Sequence, residues 1–253
     1  MALSSEDHLA WWKNEGKTLS LEQQQAWWDG AARDNAKSAI LSNKENWDAD
    51  EFLASGVSWW NEQRDFAASQ GVTLTGRAAL DFGCGVGRMT CALTADYEKV
   101  TGVDISAEML EQALSHPNAQ FVQVTSYPLP FEDQSFDLVH SSLVVQHISH
   151  PHSLEYLREF FRLSRGHVIF DVPVGERGMV VGPGMYTVSA ADLQECAESA
   201  NFDLAGSAHL QQEPYEHVRF LFTRKQAADQ APSTNLLQRV VQKIRGASGS
   251  SRP

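Results

Sequence analysis

The chain is 253 residues long, 42% hydrophobic and 21% charged, with a formal net charge of -12. That length suits one packed core plus a cap, and the acid excess argues against a nucleic-acid surface, which needs a basic face. No apolar run reaches the roughly 18 residues that span a bilayer, and Cys84, Cys91 and Cys196 are odd in number and lack metal-ligand spacing.

Residues 1–8 carry neither a basic leader nor an apolar core, so no signal peptide is read there and a reducing, cytoplasmic setting is expected. All seven tryptophans (Trp11, Trp12, Trp27, Trp28, Trp47, Trp59 and Trp60) fall within the first 60 residues. Residues 21–36 and 50–70 read as helices, the first after Ser20 with Gln23 in capping-box spacing. Large rings on such helices fasten them to a body by burying apolar area.

After a turn at residues 71–76 comes Leu80-Asp81-Phe82-Gly83-Cys84-Gly85-Val86-Gly87-Arg88. The apolar run at 77–80 predicts a buried parallel strand and residues 89–93 the first turns of a helix. Three alternate glycines between them allow positive φ and close approach of a ligand, with free N–H groups expected at the helix start. The order D-x-G-x-G-x-G differs from the dinucleotide G-x-G-x-x-G, whose third Gly would fall at Arg88. Asp81, facing the turn, suits a cationic amino-acid ligand and repels a pyrophosphate. A second strand at 99–104 ends in Asp104, 21 residues after Gly83, placed to accept hydrogen bonds from two ribose hydroxyls.

Ser106 opens the next helix with Glu108 in its first turn. Residues 119–124 and 136–140 read as strands 3 and 4, and residues 141–148 follow with the run Val144-Val145-Gln146-His147-Ile148. His150 and His152 read as surface caps of an amphipathic helix at 154–163, with Arg158, Arg162 and Arg165 near its C-terminus. Strand 5 is expected at 166–173 and a long flexible loop at 175–184, with Glu176, Arg177 and Tyr186 as candidates at a substrate mouth. Ser189 caps a helix ending near Asn201, and residues 203–211 and 216–224 alternate as the last two strands. A linker at 227–234 precedes a short basic amphipathic helix at 235–245, which can dock on a membrane surface, a partner or its own domain. The boundaries expected are a cap over 1–75, a core over 76–226 and a tail over 227–253.

Through L-D-F-G-C-G-V-G-R, V-T-G-V-D-I-S-A-E-M-L, L-P-F-E-D-Q-S-F-D-L-V and V-V-Q-H-I, residues 78–224 resemble the class I S-adenosylmethionine-dependent methyltransferases, and most closely their small-molecule branch with an N-terminal helical cap. The resemblance implies an α/β, Rossmann-like seven-stranded sheet in the order 3-2-1-4-5-7-6 with strand 7 antiparallel and helices on both faces. It places S-adenosylmethionine over the strand ends, at Asp81, Gly83, Cys84, Gly85, Gly87, Arg88, Asp104, Ile105, Met109 and Ser141. Many relatives carry Gly-Asp-Ala after strand 3; this chain has Thr125 and Ser126 there, whose hydroxyl and backbone N–H are the remaining candidates for the adenine. Family caps line the substrate lid, which nominates Trp59 and Trp60, with Tyr186 across the mouth.

The expected reaction moves the sulfonium methyl to an O or N atom of a small molecule by in-line displacement. His147 is the candidate general base, with bracing of its loop as the competing role. No metal is expected and the oligomeric state is left open. Two rivals stand beside this reading: an S-adenosylmethionine-binding partner without catalysis, and an NAD-dependent oxidoreductase, against which Asp81 and the displaced third Gly speak.

Overall fold

The structure, a computed structural model, describes residues 19–226 apart from residue 183 and residues 212–214. Trp11, Trp12 and the basic segment at 235–245 lie outside the described residues.

Helix α1 (Leu21–Ile40) begins with the expected capping box: Ser20 Oγ accepts from Gln23 N, and the Gln23 side chain accepts from Ser20 N. It runs past the predicted end, with a break at Asn35 (φ -166, ψ 90). The Asn35 side chain holds that break, donating to Glu45 O at 2.8 Å and accepting from Ser38 N at 3.2 Å. Helix α2 (Ala49–Ser69) is capped by Asp48, and its buried residues Phe52, Gly56, Trp60, Gln63 and Ala67 recur every three or four positions on one face.

The sheet follows from apolar runs that the helices cover on both faces. Its strands are β1 (Gly76–Phe82), β2 (Tyr97–Asp104), β3 (Ala119–Gln123), β4 (Phe136–Ser141), β5 (Ser164–Val174), β8 (Phe202–Gln211) and β9 (Glu216–Arg224). They lie in the order β3-β2-β1-β4-β5-β9-β8, with β9 antiparallel to β5 and to β8. A separate hairpin, β6 (Val180–Gly182) and β7 (Met185–Tyr186), begins within the stretch 175–184 expected as a long flexible loop and runs just past its end. Leaving it out of the count gives the 3-2-1-4-5-7-6 pattern.

Helices α3 (Arg88–Leu93) and α4 (Ala107–Glu111) follow β1 and β2, and α5 (His152–Leu163) and α6 (Ala190–Ser199) flank β5. One face of the sheet packs with α5 and α6 around Phe160, Phe161, Phe170, Phe220 and Phe222; the other packs with α2 and α3 around Trp60, Met89 and Leu93. Each such buried ring contributes roughly 1.5–3 kcal/mol relative to exposure. Asp137 in β4 fastens three strands. Its Oδ2 accepts from Arg77 N and Ala78 N of β1 at 2.8 and 2.9 Å, and Arg165 of β5 grips both oxygens. His152 is held by Tyr127 Oη at 3.1 Å, and both it and His150 are half-buried, so neither is the free surface cap expected.

Candidate active site

The parallel strands β1, β2 and β4 all end at one edge of the sheet, and the glycine turn is built where β1 ends. Gly83, Gly85 and Gly87 all take positive φ (73, 54 and 86°). The N–H groups of Gly83 and Cys84 donate to Val103 O at 2.8 and 3.0 Å, that of Gly85 to Asp104 Oδ2 at 2.8 Å, and that of Gly87 to Cys84 O at 2.9 Å. The turn therefore spends these four donors on its own anchoring, contrary to the expectation of free N–H groups. What its glycines supply is closeness. A Cβ at Gly83 would lie 2.3 Å from Val144, and one at Gly85 2.5 Å from Ile40.

Between the turn, the end of β2 and helix α1 lies a cavity of about 740 Å³, within the range of small-molecule sites. Gly83, Gly85, Arg88, Asp104, Ile105, Met109 and His147 all line it. Asp104 accepts from Gly85 N and, at 2.9 Å, from Ser106 N. Burial nevertheless outweighs these bonds and pushes its carboxyl up to about 6. Arg88 is a buried guanidinium with no hydrogen bond or ion pair to its side chain among the described residues, and its Nε is an orphaned donor. Burial lowers its pKa, against the pull of Asp81.

Asp81 does not face the cavity. It lies beneath the turn, where Thr90 Oγ1 donates to it at 2.6 Å and His140 Nδ1 is 2.8 Å away. Cys84, Gly87 and Ser141 are likewise buried and do not line the cavity; Ser141 Oγ donates to Phe82 O at 3.1 Å and joins β4 to β1. Thr125 and Ser126 are exposed beyond the end of β3, and the buried Val124 is the residue there that reaches the cavity.

Helix α1 roofs the site. Asp29 Oδ1 accepts from Ser106 Oγ at 2.7 Å and Glu108 N at 3.3 Å, and Arg33 pairs with Glu108, so the cap is fastened to the helix that follows Asp104. Trp27 and Trp28 of α1 line the cavity, whereas the expected pair does not. Trp60 is a core ring, 1% exposed, donating to Asp96 at 2.7 Å. Trp59 stands one layer back: its Nε1 donates to Ser142 Oγ at 2.8 Å, and the Arg219 guanidinium lies 4.8 Å over its ring. Ser142, which does line the cavity, donates in turn to the buried Asp171 at 2.9 Å, the partner of Arg219. Tyr186 is buried within the hairpin and does not line the cavity, which the neighbouring Met185 lines instead, and Arg177 is committed to Asp192.

His147 closes a short helical turn, Val145–His147, at the end of β4. Its Nδ1 donates to Gly184 O at 3.0 Å, and Gln146 Nε2 is 3.2 Å from its Nε2. Burial depresses its pKa to about 4. The cavity also takes Gln146, Tyr215 and His217, none of them singled out by sequence. Among the described residues no group of three or more His, Cys, Asp or Glu side chains could hold a metal ion.

Residues 79–166 match the methyltransferase domain family. That stretch is a methyltransferase domain. Curated relatives include the ubiquinone biosynthesis O-methyltransferases of Pseudomonas fluorescens strain Pf0-1, 27% identical over 150 residues (51% of this chain, 64% of the relative), and Pasteurella multocida strain Pm70, 26% identical over 142 residues (45% and 59%). The match thus spans about three-fifths of these relatives' length. The magnesium protoporphyrin IX methyltransferase of Synechocystis PCC 6803, solved with bound SAM, shares the fold at a TM-score of 0.60 and 17% identity, over 83% of this chain and 100% of that one. The cyclase SpnF does so at 0.59 and 15%, over 82% and 97%. In this methyltransferase domain the cavity opens at the C-terminal ends of the parallel strands, where open α/β sheets take their ligands.

Proposed function

We propose that the chain binds S-adenosylmethionine in this cavity and transfers its methyl group to an oxygen or nitrogen atom of a small-molecule acceptor. The observation that carries the reading is that one cavity is lined both by a buried guanidinium with no partner among the described residues and by a ribose-type acid. Arg88 is placed to meet an amino-acid carboxylate and Asp104 to accept from vicinal hydroxyls. Ile105, Met109 and Val124 provide an apolar wall for an adenine, while Gly83 and Gly85 let the ligand lie against the backbone. When bound, the cofactor supplies an activated methyl on a cationic sulfur. Fastened by Asp29, helix α1 excludes water and holds the acceptor in line, an alignment worth roughly 7–11 kcal/mol.

For His147 the bracing role is favoured over that of a base. Both ring nitrogens are engaged by the chain itself, and a group that titrates near 4 is a weak proton acceptor. The acceptor half of the cavity is ring-lined by Trp27, Trp28 and Tyr215, in keeping with a small apolar or aromatic acceptor such as the O-methyltransferase relatives' name suggests. Titration calorimetry with S-adenosylmethionine and, separately, NAD tests the reading: the first is expected to bind one to one and the second not at all. The reverse result would establish the dinucleotide alternative, and binding without methyl transfer to any fractionated small-molecule extract would favour the non-catalytic one.

A further inference from the structure

His217 stands in β9 opposite Pro173 of β5, where the antiparallel pair reaches the cavity. It is 6% exposed, and its Nε2 has no hydrogen-bond partner among the described residues. A buried imidazole nitrogen left unpaired is destabilising, so an arriving hydroxyl is the group that would satisfy it. Gln146, which also lines the cavity, likewise leaves its Oε1 unpaired among the described residues, and Trp28, Leu143 and Met185 add apolar surface to the same wall. We infer that His217 takes the proton of an aromatic hydroxyl as that oxygen is methylated, an assignment that rests on the methyl-transfer reading above.

The two cavity histidines differ in their commitments. His147 has both ring nitrogens engaged, to Gly184 O and Gln146. His217 is approached by the Asp171 backbone carbonyl, which favours a proton on the ring; a proton kept there on Nδ1 leaves Nε2 with its lone pair. The charged and titratable groups around the ring are Asp171 from β5, Arg219 and Glu216 on its own strand, His147 from the turn after β4, and Tyr215, whose ring centre is 6.3 Å away. Burial pushes the His217 ring below its ordinary value, Asp171 works against that and Arg219 with it. The ring is therefore neutral at pH 7 and able to accept.

In the step itself, an oxygen electron pair forms the new bond to the methyl carbon while the carbon–sulfur bond breaks with its electrons going to sulfur. The hydroxyl proton passes to Nε2, and the imidazolium returns it to water. Charge balances, because the sulfonium cation is consumed as the imidazolium forms.

The probe is 4-nitrocatechol, whose visible absorbance reports its ionisation, added to the full chain saturated with S-adenosylhomocysteine. In the wild type the bound probe is expected to ionise at lower pH than free in solution, and in His217→Gln and His217→Ala this shift disappears. With S-adenosylmethionine, methylation of the probe should fall about 10²- to 10⁴-fold in either variant, with S-adenosylhomocysteine affinity and Tm unchanged. A His217→Ala enzyme that ionises and methylates the probe like the wild type overturns the assignment. So does a chain that binds S-adenosylhomocysteine but neither binds nor methylates the probe. No S-adenosylhomocysteine binding at all would instead sink the function proposed above. His147→Gln serves as the contrast: it is expected to lower Tm and leave the probe's ionisation in place.

Discussion

Gly85 gives its amide hydrogen to Asp104 Oδ2 at 2.8 Å, tying the middle glycine of the turn to the acid that ends the neighbouring strand. Turn and acid are thus one unit, and a ligand at one is held in register with the other.

The free carboxyl of Asp104 sits at about 6, raised first by burial. Hydroxyl donors from a ribose favour the ionised form, so binding expels a proton and the bound pKa lies lower. Cofactor affinity should be flat above pH 7 and fall as pH drops through 6, roughly tenfold weaker by pH 5 for a requirement of one ionised carboxylate. Calorimetry in buffers of different ionisation enthalpy measures both the affinity and the proton release; an affinity independent of pH between 5 and 7.5 refutes it.

Gly83→Ala combines a positive φ with a Cβ that would fall 2.3 Å from Val144. The expected cost is about 2–4 kcal/mol of stability, with loss of cofactor binding because the loop carrying Val144 must move into the cavity. Thermal melts with and without S-adenosylhomocysteine report both, and a ligand-induced rise in Tm equal to that of the wild type would show the cradle is not needed.

Arg88→Met removes the orphaned guanidinium while keeping its apolar stem. Affinity for S-adenosylhomocysteine should fall by about 1.5–3 kcal/mol, while binding of adenosine, which has no carboxylate, is unchanged. Equal losses for both ligands would place Arg88 elsewhere in the site.

Asp137 is held near 2 by Arg165, with further help from the two β1 amides. A depressed folded-state pKa gives stability that is present above the ordinary carboxylate value and lost as pH falls from about 4 toward 2. After discounting for solvent screening at this part-exposed pair, Asp137→Asn should cost about 1–2 kcal/mol at pH 7, or about 3–6 °C in Tm, and nothing near pH 2.

The sheet was legible because parallel strands buried on both faces read as short apolar runs, and the turn because alternate glycines between strand and helix have few other uses. Asp104 was legible from its spacing to Gly83. Asp81 was placed on the correct strand but its direction was not, because Thr90 and His140, which claim it, are separated from it by 9 and 59 residues. The tryptophans show the same limit. Trp59 and Trp60 are nearest the motif in sequence, yet the bend of the cap brings Trp27 and Trp28 to the cavity. Thr125 and Ser126 match the adenine position only by their spacing from Leu129-Pro130-Phe131, while the chain leaves both exposed at the end of β3. His217 lies in an alternating strand with no local signal at all; only the pairing of β9 with β5 brings it to the site.

The most direct test is calorimetric titration of S-adenosylmethionine into the wild type and Asp104→Ala at pH 7.5. One-to-one binding by the wild type, weakened at least tenfold in a variant that still melts cooperatively, is the predicted result. No binding by the wild type, or equal affinity in the two, would contradict it.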